Sequence, residues 1–165
     1  MITLARNVLP LSLFQAIEAT WLAELIQQSH WIFPVVMSLH LVAFAALGGA
    51  ILVVDLRLLG LVFRPQPVQS LARSVRWLLH GSVAAMFVTG LLLFVSEAIK
   101  CYYNDPFWIK MYCLAGGLIV TYTVRRKIVA MDPARVGVWG KLVGLTNIAL
   151  WSGVAWGGRW IGFWG

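Results

Sequence analysis

Apolar residues run in four long blocks along the chain, with polar and charged residues collected between them. A bilayer core of about 30 Å needs roughly 20 consecutive apolar residues per helix. The blocks at about 31–56, 77–98, 107–124 and 142–160 approach that length with their few charges at the edges, which predicts four transmembrane helices. Ahead of them, Leu11, Phe14, Ile17, Trp21, Leu25 and Ile26 recur at helical spacing, while Gln15, Glu18, Glu24 and Gln28 take much of the remaining surface. That pattern predicts one amphipathic helix over 8–29, lying in the outer interface, covering the mouth of the bundle or docking a partner. The expected fold is an all-α, integral-membrane four-helix bundle forming a single domain over 1–165.

Composition agrees with the pattern. Of 165 residues 61% are hydrophobic and 12% charged, and the mean hydropathy is +0.83, more than a water-soluble domain of this size carries. The formal charge of +7 would suit nucleic acid, but location decides otherwise. Arg57, Arg64, Arg73 and Arg76 surround the first hairpin turn, and Arg125, Arg126, Lys127, Arg135 and Lys141 flank the last one. Only Arg6, Lys100, Lys110 and Arg159 fall on the other side, so the positive-inside rule puts both basic loops in the cytoplasm and both termini outside. The expected location is a bacterial cytoplasmic membrane, with the lipid bilayer as the first partner and nucleic acid excluded. No cleavable signal peptide is evident at the N-terminus. Cys101, in the outer connection, and Cys113, about two turns into the third helix, are poorly placed for a mutual disulfide and are read as unpaired.

Ionisable groups inside a membrane are costly, so His40 in the first span draws attention first. Its neutral imidazole can ligate a haem iron or hydrogen-bond a facing hydroxyl or carbonyl. Depth argues against His80 as a second axial ligand: at 1.5 Å per residue it lies about 14 Å from His40 along the membrane normal. His80 is expected at the cytoplasmic end of its helix, and His30 at the outer rim. Met86 and Met111 fall near the His40 level and are candidates for a sixth ligand. Lys110 and Arg159 stand at outer helix ends, where Glu97, Asp105, a lipid phosphate or haem propionates can meet them. Asp55 and Arg57 are two residues apart, do not face each other on a helix, and each need a separate partner near the cytoplasmic loops.

Leu39-His40, Asp55-Leu56-Arg57-Leu58-Leu59-Gly60, Thr89-Gly90-Leu91-Leu92-Leu93-Phe94, Tyr103-Asn104 with Phe107-Trp108-Ile109-Lys110, and Gly158-Arg159 together form a pattern. It resembles a family of uncharacterised bacterial multi-helix membrane proteins, a domain of unknown function, from about Trp31 to Arg159. More loosely the chain is similar to copper-resistance D-type and haem-binding protoporphyrinogen-oxidase-type membrane proteins. The first resemblance implies a fold without an activity; the second implies a b-type haem or a metal, with His40 as ligand and Lys110 as anion partner. Ala43, where a Gly commonly follows the His, is expected to narrow the room for a flat macrocycle.

The leading expectation is therefore a haem-b-binding electron-transfer subunit. His40 ligates iron, Lys110 and Arg159 neutralise propionates, and electrons pass between an outer-face protein and a membrane quinone. A non-catalytic accessory subunit of a larger membrane complex is the alternative, and transport of a metal or small solute a third. Paired carboxylates at one depth, an activated nucleophile and a phosphate-binding loop are all missing from the sequence, so no catalytic residue is assigned.

Overall fold

The computed structural model describes residues 9–131 and 133–163, with the side chains of 133–136 left aside. Arg6, Trp164 and the side chain of Arg135 lie outside the described residues. Among those described the protein is all-helical, and three helices are long and apolar enough to cross a membrane: Ile32–Leu58, Arg76–Ser96 and Asp105–Ala130.

The elements in order are α1 (Leu11–Glu18), α2 (Trp21–Gln28), α3 (Ile32–Leu58), α4 (Val68–Ser74), α5 (Arg76–Ser96), α6 (Ala98–Tyr103) and α7 (Asp105–Ile119). A π-helical turn over Val120–Val124 joins α7 to α8 (Arg125–Ala130), and α9 (Pro133–Trp160) ends the chain. Within α9 the helix is broken at Gly137, whose φ of 25° favours glycine.

The N-terminal segment is two helices rather than the single one its periodicity predicts. Thr20, in extended conformation, separates them, and its hydroxyl donates to the Ile17 carbonyl at 2.8 Å. The break lets each half bury its apolar face against a different neighbour. Phe14 of α1 enters a cluster with Ala98, Tyr102 and Trp108, whereas Ala23 and Ile26 of α2 are buried where that helix packs on α5 and α3. Two polar ties fix the pair: Glu18 Oε2 accepts from the Ile99 amide at 2.6 Å, and Gln27 Nε2 donates to the Ser96 carbonyl at 2.7 Å.

The connection between α5 and α7 forms α6, in which Cys101 is buried and Ala98 and Tyr102 pack with Phe14. Asn104 then starts α7, its Oδ1 accepting from the Phe107 amide at 3.1 Å with Pro106 in the first turn, where a missing N–H is harmless. The third helical stretch runs on to Ala130 instead of stopping near 124. Arg125 is the reason: it turns inward, 5% exposed, rather than joining Arg126 and Lys127 in the flank.

The long helices form an arc. α5 packs on α3, α3 on α9, and α9 on α7, while α5 and α7 share no comparable interface. The core sits along α3 and α9, around Leu47, Ala50, Ile51, Trp151 and Val154. Small residues bring α9 close to its neighbours: Gly157 lies against Pro106 and Lys110, and Gly153 against Cys113.

Candidate functional site

The space left between α5 and α7 is an apolar cavity of about 420 Å³. Its back wall comes from α3 and α9 through His40, Leu47, Trp151 and Val154, and Phe14 contributes at its outer end. Phe87, Leu91 and Met111 line it yet are exposed, so it opens sideways between the two helices. Its volume falls within the roughly 300–1,000 Å³ of small-molecule and cofactor sites.

His40 is 9% exposed and lies against α5. Gly90 leaves room for the ring: a Cβ there would sit 3.2 Å from His40 Cε1. His40 Nδ1 is 2.8 Å from Thr89 Oγ1, and Thr89 Oγ1 is 2.6 Å from the Ala85 carbonyl. The hydroxyl has one proton. Donating it to Ala85 O obliges Thr89 to accept from His40, so Nδ1 carries hydrogen and Nε2 of the neutral ring holds a lone pair. Among the described residues no hydrogen bond engages Nε2. The two outcomes foreseen for His40 are thus compatible: one nitrogen meets a facing hydroxyl, and the other remains available to a ligand.

Met86, Lys110 and Met111 line the same cavity as His40. The Lys110 stem lies over Gly157 and Gly158 of α9, and among the described residues its ammonium makes no ion pair. Arg159 lies outside the cavity, exposed, with its guanidinium 4.7 Å from the Phe163 ring centroid. Ala43 packs in the core and takes no part in the cavity lining, so it does not narrow the space beside His40. His80 is ten residues from Gly90, about 15 Å along α5, and pairs with Tyr122 instead.

A second polar constellation joins three helical stretches near the C-terminal end of α3. Asp55, fully buried, accepts from Arg125 Nη1 at 3.2 Å and from Asn147 Nδ2 at 2.6 Å. Asn147 Oδ1 accepts from Thr121 at 2.9 Å, and Thr121 Oγ1 accepts from Trp151 Nε1 at 3.2 Å. Every donor in this chain points toward the Asp55 carboxylate, which suits a fixed anion and not a proton relay. Trp151 also forms cavity wall, seated on Gly117, so the network holds the wall in place. Asp55 was expected to need a partner; that Arg125 and Asn147 provide it, with Thr121 behind Asn147, depends on helix rotation, and only their polarity hinted at it. Arg57 donates to the carbonyls of Gln66 and Arg64 at 2.8 and 3.0 Å, organising the basic loop.

Cys101 and Cys113 are both free thiols. Burial, with Glu97 nearby, pushes the Cys101 thiol up to about 12. Among the described residues no three His, Cys, Asp or Glu side chains converge, so a bare metal ion finds one such donor, His40, in the cavity. Were a haem bound there, its macrocycle would supply most of the ligands, so that His40 with Met86 or Met111 could complete the set and Lys110 could meet a propionate.

No curated protein and no solved structure matches the chain. Residues 13–164 match a family of unknown function (DUF6644), and the chain belongs to that family.

Proposed function

We propose that this chain is a haem-b-binding electron-transfer subunit of a bacterial cytoplasmic membrane. The observation that carries the reading is the Thr89–His40 hydrogen bond, which orients an imidazole and leaves Nε2 as a lone-pair donor in a ligand-sized apolar cavity. Hydrogen bonds of this kind, made by the ring nitrogen that does not face the metal, set the tautomer and raise the basicity of iron-ligating histidines. Lys110 is the group for a propionate, and Met86 or Met111 for the sixth position. The haem supplies one-electron chemistry; the protein binds it, sets its polarity and excludes water. An outer-face protein and a membrane quinone are the exchange partners.

In this reading α9 is the fourth membrane span. It is long enough, buries Asn147, Trp151 and Val154 against the other helices, and its outer end carries the aromatic rim Trp156, Trp160 and Phe163, which suits a membrane interface. The basic loops then face the cytoplasm and both termini the outside.

The test is haem content. Protein purified in mild detergent from cells supplied with haem should carry about one haem b per chain, and Lys110→Gln should retain less. A haem-free chain that co-purifies with other membrane subunits would replace this reading with that of an accessory subunit.

A further inference from the structure

The gap between α5 and α7 is closed at each end by a pair of rings. At the outer end Phe94 and Phe107 stack with centroids 5.7 Å apart and planes 11° apart. At the inner end His80 and Tyr122 stack at 5.6 Å and 15°, with His80 Nδ1 3.1 Å from the Tyr122 hydroxyl. Fourteen residues of α5 separate Phe94 from His80, about 21 Å of helix. The cavity lining reaches Val83 and Leu118, roughly one turn from His80 and from Tyr122.

The inner pair differs from its surroundings. His80 is exposed and Tyr122 half-buried; Trp77, Leu78, Phe87 and Ile119 are exposed nearby, and the exposed Arg76 and Arg126 lie about one turn away on the two helices. The two rings are partnered to each other, and among the described residues His80 Nε2 makes no hydrogen bond, which leaves it for a further partner. The π-helical turn accounts for the placement of Tyr122. Its widened winding sends Thr121 inward to Asn147 while the next residue reaches across to α5, and π turns frequently mark functional sites.

We propose that this inner end is a binding site for the ring of an isoprenoid quinone, with His80 and Tyr122 as its polar contact and the tail extending into the surrounding lipid, outside the His40 cavity. The chemistry suits both redox forms. When the Tyr122 hydroxyl donates to His80 Nδ1, Nε2 carries hydrogen and donates to a quinone carbonyl. When His80 Nδ1–H donates to the tyrosine oxygen, Nε2 accepts from a quinol hydroxyl. A flat ring can extend the existing parallel stack, and the exposed His80 can be reached directly from the bilayer. A phospholipid headgroup is the poorer match, since its phosphate would seek the arginines closer to the cytoplasm. The site shares with the haem reading only the choice of quinone as partner, and quinone binding tests it whether or not haem is present.

The full chain in lipid nanodiscs is labelled with a photoreactive azido-quinone, with decylubiquinone as competitor, and adducts are mapped by mass spectrometry. Saturable labelling on the segments bearing His80 and Tyr122, competed by decylubiquinone, is expected. His80→Phe and Tyr122→Phe keep an aromatic ring at each position but remove a hydrogen-bonding group, and each should weaken competition about three- to tenfold. Labelling that is uncompeted and spread over the lipid-facing surface, or competition unchanged in both variants, overturns the site. The wild-type map alone is decisive if a variant fails to fold. Competed labelling of haem-free protein would sustain this site while removing the haem reading.

Discussion

Removing one partner of the Asp55–Arg125 pair should destabilise the protein far more than removing both charges. At 3.2 Å and an effective dielectric near 20, the attraction between the charges is about 5 kcal/mol. Asp55 has 0% and Arg125 6% of its side chain exposed, so neither can recover water when its partner is lost. Arg125→Met strands the carboxylate with only Asn147, and Asp55→Asn strands the guanidinium; each should cost about 3–5 kcal/mol. In the double variant no charge remains buried, and the amide oxygen at position 55 still accepts from Asn147, so stability should return to within about 1 kcal/mol of wild type. The assay is unfolding in mixed micelles, followed by circular dichroism for the wild type, both single variants and the double. A cost below about 1 kcal/mol for Arg125→Met, or a double variant as unstable as the two single costs added together, would refute the buried, mutually dependent pair.

Three further outcomes follow from the packing. Thr89→Val keeps the side chain's shape but removes the acceptor for His40 Nδ1, so haem affinity should fall about 10- to 100-fold with the helical content unchanged, as read by haem transfer to apomyoglobin. At Gly157 a Cβ would lie 2.9 Å from both Lys110 Cβ and the Pro106 carbonyl oxygen; Gly157→Ala should force α7 from α9 at a cost of about 1–3 kcal/mol, whereas Gly49→Ala, with open space, should be neutral or stabilising in the same melts. Because burial raises the Cys101 thiol to about 12, it stays protonated through neutral pH and should resist maleimide at pH 8 until the protein is unfolded. Raising the pH from 9 towards 12 should favour unfolding, since the exposed thiol ionises in that range and the buried one does not. Rapid labelling of native Cys101 at pH 8 would contradict its burial.

Much of the architecture was legible because hydropathy reports directly on which stretches can enter lipid. The apolar block at 31–56 became α3 almost residue for residue, and the block expected from about 107 lies within the helical stretch that begins at Asp105. What was not legible depends on neighbours. α6 forms in a polar-looking connection because Ala98 and Tyr102 pack with Phe14. The π turn leaves no mark in periodicity, since it is a change in hydrogen-bond register within an otherwise helical run. Arg125 sits in a basic triplet with Arg126 and Lys127, and nothing local distinguishes the one that turns inward. Within the site, His40 was identified as an ionisable group in an apolar span, Met86 and Met111 by depth and Lys110 by its place at a helix end, and rotation about the helix axes brings all four onto one cavity. Arg159 shares the outer level of Lys110 but turns to Phe163, a distinction that depth cannot make.

The most direct test of the haem assignment is the reduced-minus-oxidised optical spectrum of protein purified from haem-supplied cells, wild type beside His40→Ala. A haem held by His40 gives a Soret and an α band in the wild type that are lost or strongly shifted in the variant. A featureless wild-type spectrum, or one unchanged by His40→Ala, would contradict it.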